Sequence, residues 1–370
     1  MKIIKVEVFA IRLPLNEPFV IAYDHYEDMP TIVTKVVTDN GLVGWGEAVP
    51  DQHVTGETWE STFQVIQHEL SPLIINESPF SIDLIHKKMN EKIFGAPSAK
   101  AAIDIALYDL MGKESRQPIY QLIGGKSHSR LNVPRVISMK TPGEMADDAN
   151  VAVEAGCENI KIKVGSDPFE DIKRIKAVRE AISDSVRLRV DANQGWSRTD
   201  ALIVIENTKD CLVEWYEQPV EAGDLLSLQE IRAASKVKIM VDEGVHNSHD
   251  LLKVIQIRAA DLLNIKIMKS GGIYPALALA NIAEAAGMPC QVGSMVESAI
   301  ATMAGAHLSI SRSIIQSNEM VGPLMFSKDI GSTRYANYVL EVEETAGLGV
   351  EVDESLIKEF TNNYCLIENV

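Results

Sequence analysis

Two textures divide the chain. Up to about residue 130 the pattern is mixed. Lys2–Leu13 and Thr31–Thr38 alternate apolar and polar positions with the period of two expected of half-buried strands. Gly41–Glu47 follows the turn Asp39-Asn40-Gly41, so an antiparallel meander is predicted. Helical spacing then takes over in Glu57–Leu73, Ser81–Phe94 and Ser98–Ser115. In the last of these, apolar residues at 103, 106, 107, 110 and 111 trace a buried stripe.

After Gly124-Gly125 short apolar runs alternate with amphipathic stretches. The runs are VPRVIS, NIKIKV, RLRVDAN, VEWYEQP, KIMVDEG, LLNIKIM, PCQVGSM and IIQSNE, ending near residues 138, 163, 191, 217, 242, 266, 293 and 319. An interval of 24 to 28 residues holds one strand, one helix and two loops. Eight such units close a (β/α) barrel, and right-handed crossovers make every strand parallel to the last. Beyond about 330, YVLEVEE and GLGVEVDE read as strands outside the repeat. The expected division is an α+β capping domain over 1–128, the barrel over 129–330, and a segment over 331–370 that returns to the cap.

Composition narrows the class. Hydrophobic residues make up 46% and charged residues 24%, ordinary for a soluble globular protein, and no apolar run reaches the length of a membrane span. A net charge of -17 argues against a nucleic-acid partner, because phosphate contacts need clustered Lys and Arg. Cys157, Cys211, Cys290 and Cys365 show no C-x-x-C spacing and sit among apolar neighbours. Reduced, buried thiols in the cytoplasm are therefore expected. The start, MKIIKVEVFAIRLPL, alternates like a strand and lacks the build of a signal peptide.

In a barrel of this kind the reactive groups stand at the carboxyl ends of the strands. Those ends carry Lys161 and Lys163, Asp191 and Asn193, Glu217, Asp242 and Glu243, Lys266, and then Glu297 and Glu319. Asp191, Glu217 and Asp242, from three successive strands, are expected to converge. Like charges so placed need a neutralising cation. An all-oxygen set suits Mg²⁺, with Mn²⁺ as the alternative, and the lack of His or Cys argues against zinc. Lys163 ends the second strand and Lys266 the sixth, on opposite sides of a barrel of eight. A metal and the neighbouring Lys161 should lower their basicity toward a working range. Such a pair could take the proton beside a carboxylate from one face and return it on the other.

At these residues the chain resembles the enolase superfamily, muconate-lactonising subgroup: KIKVG at 161–165, VDANQGW at 190–196, EQP at 217–219, VDEG at 241–244, NIKIMKSGGI at 264–273 and VGSMVES at 292–298. The resemblance spans essentially the whole chain. It implies a modified TIM barrel under an N-terminal cap, with Asp191, Glu217 and Asp242 as metal ligands and Lys163 and Lys266 as the acid/base pair. Lys161 would assist electrostatically, with Asn193, Glu243 and Lys269 in support. A lysine base beside a divalent ion is a general pattern of this superfamily. Two mobile loops closing on the barrel, about Phe19–Pro30 and Val49–Glu57, are also implied, as is an assembly of identical chains.

The subgroup hosts muconate cycloisomerases, o-succinylbenzoate synthases, N-acylamino acid racemases and dipeptide epimerases, so fold leaves the substrate open. Dipeptide epimerases carry two aspartates, two residues apart, after the eighth strand; Glu319 and Val321 stand there in this chain. Asp24, Glu27, Asp28, Asp51 and Glu57 make the loops acidic, which favours a cationic substrate side chain unless these charges are merely solvated. The loops resemble those of racemases of N-succinyl-arginine and N-succinyl-lysine. The expected substrate is thus a small carboxylate, an N-succinyl amino acid with a basic side chain. Asp51 would meet the cation, and Tyr23, Asp24, Glu297, Glu319 and Lys269 would line the substrate. A dipeptide, a cycloisomerase substrate, and a barrel that binds without catalysis are the alternatives.

Overall fold

Residues 1–368 are described in a computed structural model. The cap is built on strands Ile3–Val20, His25–Thr38 and Val43–Ala48, paired antiparallel in that order. A fourth strand, Thr361–Glu368, pairs antiparallel with Ile3–Val20 on its outer side. GLGVEVDE is not a strand. Gly347 and Gly349 adopt φ of 75° and 69°, left-handed backbone that breaks extension. Only isolated bridges at Gly347 and Val352 remain.

Helical spacing was read correctly, with two refinements. The first predicted helix is Trp59–Val65 and Ser71–Ile74 joined by a π-type turn at Ile66–Leu70. Pro72 has no N–H to continue the α ladder, and Ser71 N–H reaches back to Ile66 O instead. Pro97–Ser115 is buried all round, from Ser98 to Gly112, rather than along one stripe. One face (Ala102, Ile103, Ala106, Leu107, Leu110) packs in the cap core. The other (Ala101, Ile105, Tyr108, Met111) packs in the core shared with the barrel. Gly46 lets the third cap strand approach this helix, since a Cβ there would stand 1.8 Å from Ala102 O.

The barrel strands are Arg135–Ile137, Asn159–Lys163, Arg187–Asp191, Val213–Glu217, Lys238–Val241, Leu262–Ile265, Cys290–Val292 and Ile315–Asn318, numbered first to eighth below. They form one parallel sheet in chain order, each end within a residue of its sequence expectation. Side chains of Thr141, Asp167, Ser197, Asp224, Asn247 and Ser298 accept N–H groups at the starts of the intervening helices, which stops each strand-to-helix turn at a defined residue.

Buried carboxylates at helix starts tie the cap to itself, through Glu57, and to the barrel, through Glu47. Glu57 accepts from Ser98 N and Ala99 N at 2.8 and 3.0 Å. Glu47 accepts from Ser298 N, Ser298 Oγ and Ala301 N at 2.8, 2.6 and 2.8 Å. Among the described residues no helix is long and apolar enough to cross a membrane. All four cysteines are buried and unpaired.

Candidate active site

The second strand reads Asn159-Ile-Lys-Ile-Lys163, and its period of two sends Lys161 and Lys163 to the same side. Parallel pairing sets Lys163 beside Asp191 and Asp191 beside Glu217. The charged ends of three neighbouring strands thus lie level. Asp242 follows the fifth strand, where its N–H and that of Gly244 donate to Gln218 Oε1 at 2.9 and 3.1 Å. Lys266 follows the sixth.

These groups form one buried charge network. Lys163 Nζ donates to Asp191 Oδ2 at 2.7 Å and to Asn193 Oδ1 at 2.9 Å, and Asn193 Nδ2 donates to Glu243 Oε1 at 3.1 Å. Lys161 Nζ lies 2.9 Å from both Glu217 oxygens, 2.9 Å from Asp191 Oδ2 and 2.5 Å from Glu319 Oε1. Lys266 Nζ is 2.7 Å from Asp242 Oδ2, and Lys269 Nζ is 3.0 Å from Asp242 Oδ1. Asp191, Glu217 and Asp242 have no solvent exposure at all.

The three carboxylates lie close enough to act on one another, with Asp191 and Glu217 sharing the Lys161 ammonium, but they do not form a ready-made metal cradle. Among the described residues no three His, Cys, Asp or Glu side chains stand ready to hold a metal ion. Each acid is drawn to an ammonium instead, because an ammonium at 2.7–2.9 Å is the nearest counter-charge. The donor set nevertheless fits a hard divalent cation. Five carboxylates (Asp191, Glu217, Asp242, Glu243, Glu319) face four ammoniums (Lys161, Lys163, Lys266, Lys269), all buried. Neither Asp242 oxygen has a well-formed hydrogen bond despite its two close lysines. Burial, then the charge of Asp191, pushes Glu217 well above the usual carboxylate range. Burial and Asp242 push Glu243 up to about 7. A buried group with surplus negative charge and oxygen-only donors suits Mg²⁺ or Mn²⁺.

Lys266 differs from expectation. Burial alone would weaken Lys266 as a base, but Asp242, Glu243 and Glu217 outweigh it and hold the ammonium well above its ordinary range. Lys161 is held up in the same way by Asp191, Glu217 and Glu319. The sequence argument counted the metal and the neighbouring ammonium but not the carboxylates in direct contact.

Lys161, Lys163, Lys266, Asn193 and Glu319 line one cavity with Tyr23 and Asp51. Its roof is the tip of the first cap hairpin. Phe19 pairs with Tyr26 and Val20 with His25, so most of the expected Phe19–Pro30 loop is strand and only a short turn remains. Alternation there is obscured because the tip faces a cavity rather than a core. Tyr26 Oη donates to Asp51 Oδ2 at 2.6 Å, and His53 and Val54 N–H groups donate to Asp51 Oδ1 at 2.7 and 2.9 Å. The Tyr23 and His53 rings pack at a tilt of 32° with centroids 4.5 Å apart, a packing role for His53.

Three expected substrate contacts lie elsewhere. Asp24 is exposed at the turn, accepting from His25 N–H. Lys269 lies behind Asp242, donating to the Asp242 and Asn264 carbonyls. Glu297 accepts from Ser294 Oγ and Met295 N–H and braces the turn after the seventh strand. There Val296 has φ of 66°, strained for a β-branched residue, and it faces the cavity. Sequence reasoning missed Tyr26 and Asn264, whose Nδ2 donates to Glu217 Oε1 at 2.8 Å. Asn264 was findable, two residues before Lys266 on the same strand face.

A parallel barrel with lysines and carboxylates at its strand ends, roofed by an α+β cap, is the architecture of one enzyme class, and the chain belongs to it: the enolase superfamily. Residues 144–356 match the enolase C-terminal domain-like family, and residues 3–124 match the mandelate racemase / muconate lactonizing enzyme N-terminal domain. Among its relatives are racemases and epimerases, which are isomerases. N-succinyl-L-Arg/Lys racemase of Bacillus cereus is 47% identical over 98% of both chains. A crystal structure of N-succinyl Arg/Lys racemase from that species superposes with a TM-score of 0.98 at 46% identity, covering all of both chains. A dipeptide epimerase from Cytophaga hutchinsonii, in complex with Mg and D-Ala-L-Val, superposes at 0.96 with 34% identity over the full length of both.

Proposed function

We propose that this chain is a metal-dependent racemase of N-acylated amino acids, acting on N-succinyl-arginine or N-succinyl-lysine. One observation carries the reading: Lys163 and Lys266, from the second and sixth of eight strands, reach one cavity from opposite sides. Held by Asp191, Glu217 and Asp242, Mg²⁺ would supply positive charge to the substrate carboxylate and to the negative charge that builds there as the α-proton leaves. Lys163, oriented by Asp191 and Asn193, takes the proton from one face. Lys266, kept as an ammonium by its carboxylates, delivers one to the other face. The roles reverse for the opposite enantiomer. Lys161 stays charged and holds the carboxylate end.

Asp51 supports the choice of side chain. It is the carboxylate on the cavity roof, and its three donors fix it without neutralising it. The relatives named for N-succinyl-Arg/Lys agree. Four unpaired cysteines agree with a reducing compartment, and we assign the cytoplasm.

Dipeptide epimerisation is the second reading. Glu319 faces the cavity and its Oε1 has no well-formed hydrogen bond, so it could meet a dipeptide ammonium. Its 2.5 Å pairing with Lys161 counts against that. Incubating the Mg²⁺-loaded enzyme with N-succinyl-L-arginine in deuterated water, beside L-Ala-L-Glu, separates the readings. Loss of optical rotation with deuterium entering the α-position of the acylated arginine is expected. Exchange confined to the dipeptide would transfer the assignment, and exchange in neither would remove it.

A further inference from the structure

The barrel has an unlaced seam. Ladders join each strand to the next from first to eighth, but among the described residues none joins the eighth back to the first. The seam is bridged instead by Asn318 Nδ2 donating to Asn132 O at 3.1 Å. A second chamber opens there, and its walls include Val136, Val321 and Met325, which also wall the active-site cavity. The two spaces therefore share three apolar side chains, a surface against which methylene groups can pack.

Beside them stands Arg135, the one cation among the described residues lining the chamber. Arg135 is only loosely committed. Its Nη2 lies 3.3 Å from Glu17 Oε1, with the two side chains 37% and 52% exposed, and Glu17 is shared with Lys140 at 3.1 Å. An exposed pair of this kind contributes little, so the guanidinium remains available to another carboxylate. Inside the active-site cavity the situation is opposite. The cations on its wall are Lys161, Lys163 and Lys266, and each is already held by an acid at 2.9 Å or less. A substrate with a second carboxylate on its acyl group finds no uncommitted cation there.

We propose that Arg135 is a substrate-binding residue that receives the distal carboxylate of a dicarboxylic acyl group, whose methylenes lie along Val136, Val321 and Met325. This rests on the N-acylamino acid racemase reading and specifies which part of the molecule recognises the acyl end. Arg135 presents a planar, permanently charged fork that suits a carboxylate. Binding there is the same in ground and transition states, so its loss belongs in KM rather than kcat.

The test uses the Mg²⁺-loaded full chain and two substrates: N-succinyl-L-arginine and its N-succinamoyl counterpart, in which the distal carboxylate is a carboxamide. Arg135→Gln should raise KM for the succinyl substrate about tenfold, the scale of a lost charged hydrogen bond. It should leave kcat and the succinamoyl kinetics unchanged, so the preference between the two collapses. Arg135→Lys should restore part of it. Glu17→Gln, which removes the competing acid and leaves Arg135 intact, should lower KM for the succinyl substrate alone. An unaltered succinyl preference in Arg135→Gln, or a native enzyme that does not distinguish the two, overturns the Arg135 assignment while racemisation itself stands. Turnover of neither by the native enzyme sinks the racemase reading and this assignment together.

Discussion

The floor and the roof of the cavity are built differently. On the floor, Lys161, Asp191, Glu217, Asp242 and Lys266 are each at most 4% exposed, and they sit at strand ends whose level is set by ladder pairing. On the roof, Tyr23, Tyr26 and Asp51 are only half-buried. They hang from a hairpin whose register slips between Pro14 and Phe19 and from an irregular loop, tied to each other by the Tyr26–Asp51 hydrogen bond and one tilted ring contact and to the barrel at Val20 and Val54. A floor laced on every side keeps reacting groups in one geometry. A roof held by few contacts can change sequence without disturbing them. On the proposed function, that contrast would leave chemistry to the barrel and choice of substrate to the cap.

The largest expected effect is on the floor. Lys163→Ala and Lys266→Ala should each reduce racemisation by about a hundredfold to ten-thousandfold, the usual contribution of a positioned acid or base. Each variant should still exchange the α-proton of one enantiomer, read by proton NMR in deuterated water. Normal racemisation by both would show that the floor does not hold the bases. Removing divalent ions with a chelator should likewise abolish turnover, and Mg²⁺ should restore it; full activity of chelated enzyme would discard the metal assignment.

Acid tests the scaffold rather than the roof. His307, on the helix after the seventh strand, accepts Tyr120 N–H on Nδ1 at 3.3 Å and offers Nε2–H to Leu348 O at 3.1 Å, so both nitrogens serve in the neutral ring. Burial holds its pKa down to about 4. Its folded value lies below its unfolded one, so its contribution is full above about pH 6.5 and is lost as pH falls from there through 4, up to about 3 kcal/mol. Denaturant unfolding of His307→Gln should show a shallower loss over that window than the native chain; identical slopes would contradict this.

On the roof the changes are smaller and selective. Asp51→Ala should raise KM about tenfold for basic side chains, if roughly 1.4 kcal/mol is lost, and spare neutral ones. Tyr26→Phe removes a single donor to Asp51, worth about 1 kcal/mol, and should raise the same KM about fivefold. An equal effect on neutral substrates in either variant would erase the distinction between floor and roof.

Much of the floor was legible in one dimension. Strand alternation put Lys161 with Lys163, and the recurring interval of 24 to 28 residues placed the charged strand ends at one end of a barrel. Covalent spacing and local periodicity carry that information directly. Asn193 lies past its strand, in a turn with φ of 41°, where alternation does not apply. The hairpin tip, the buried underside of Pro97–Ser115 and the demotion of Asp24, Glu297 and Lys269 were not legible. Each depends on what lies opposite in space.

By itself, the sequence determined the barrel, its order of strands, and which charged residues end them, because backbone geometry converts spacing into direction. Tertiary structure alone decided which acid each lysine touches, that Tyr26 fixes Asp51, and that the seam beside Arg135 stays open. Those are contacts between segments far apart along the chain. Pairwise charge and packing depend on distances of a few ångströms that no local pattern records.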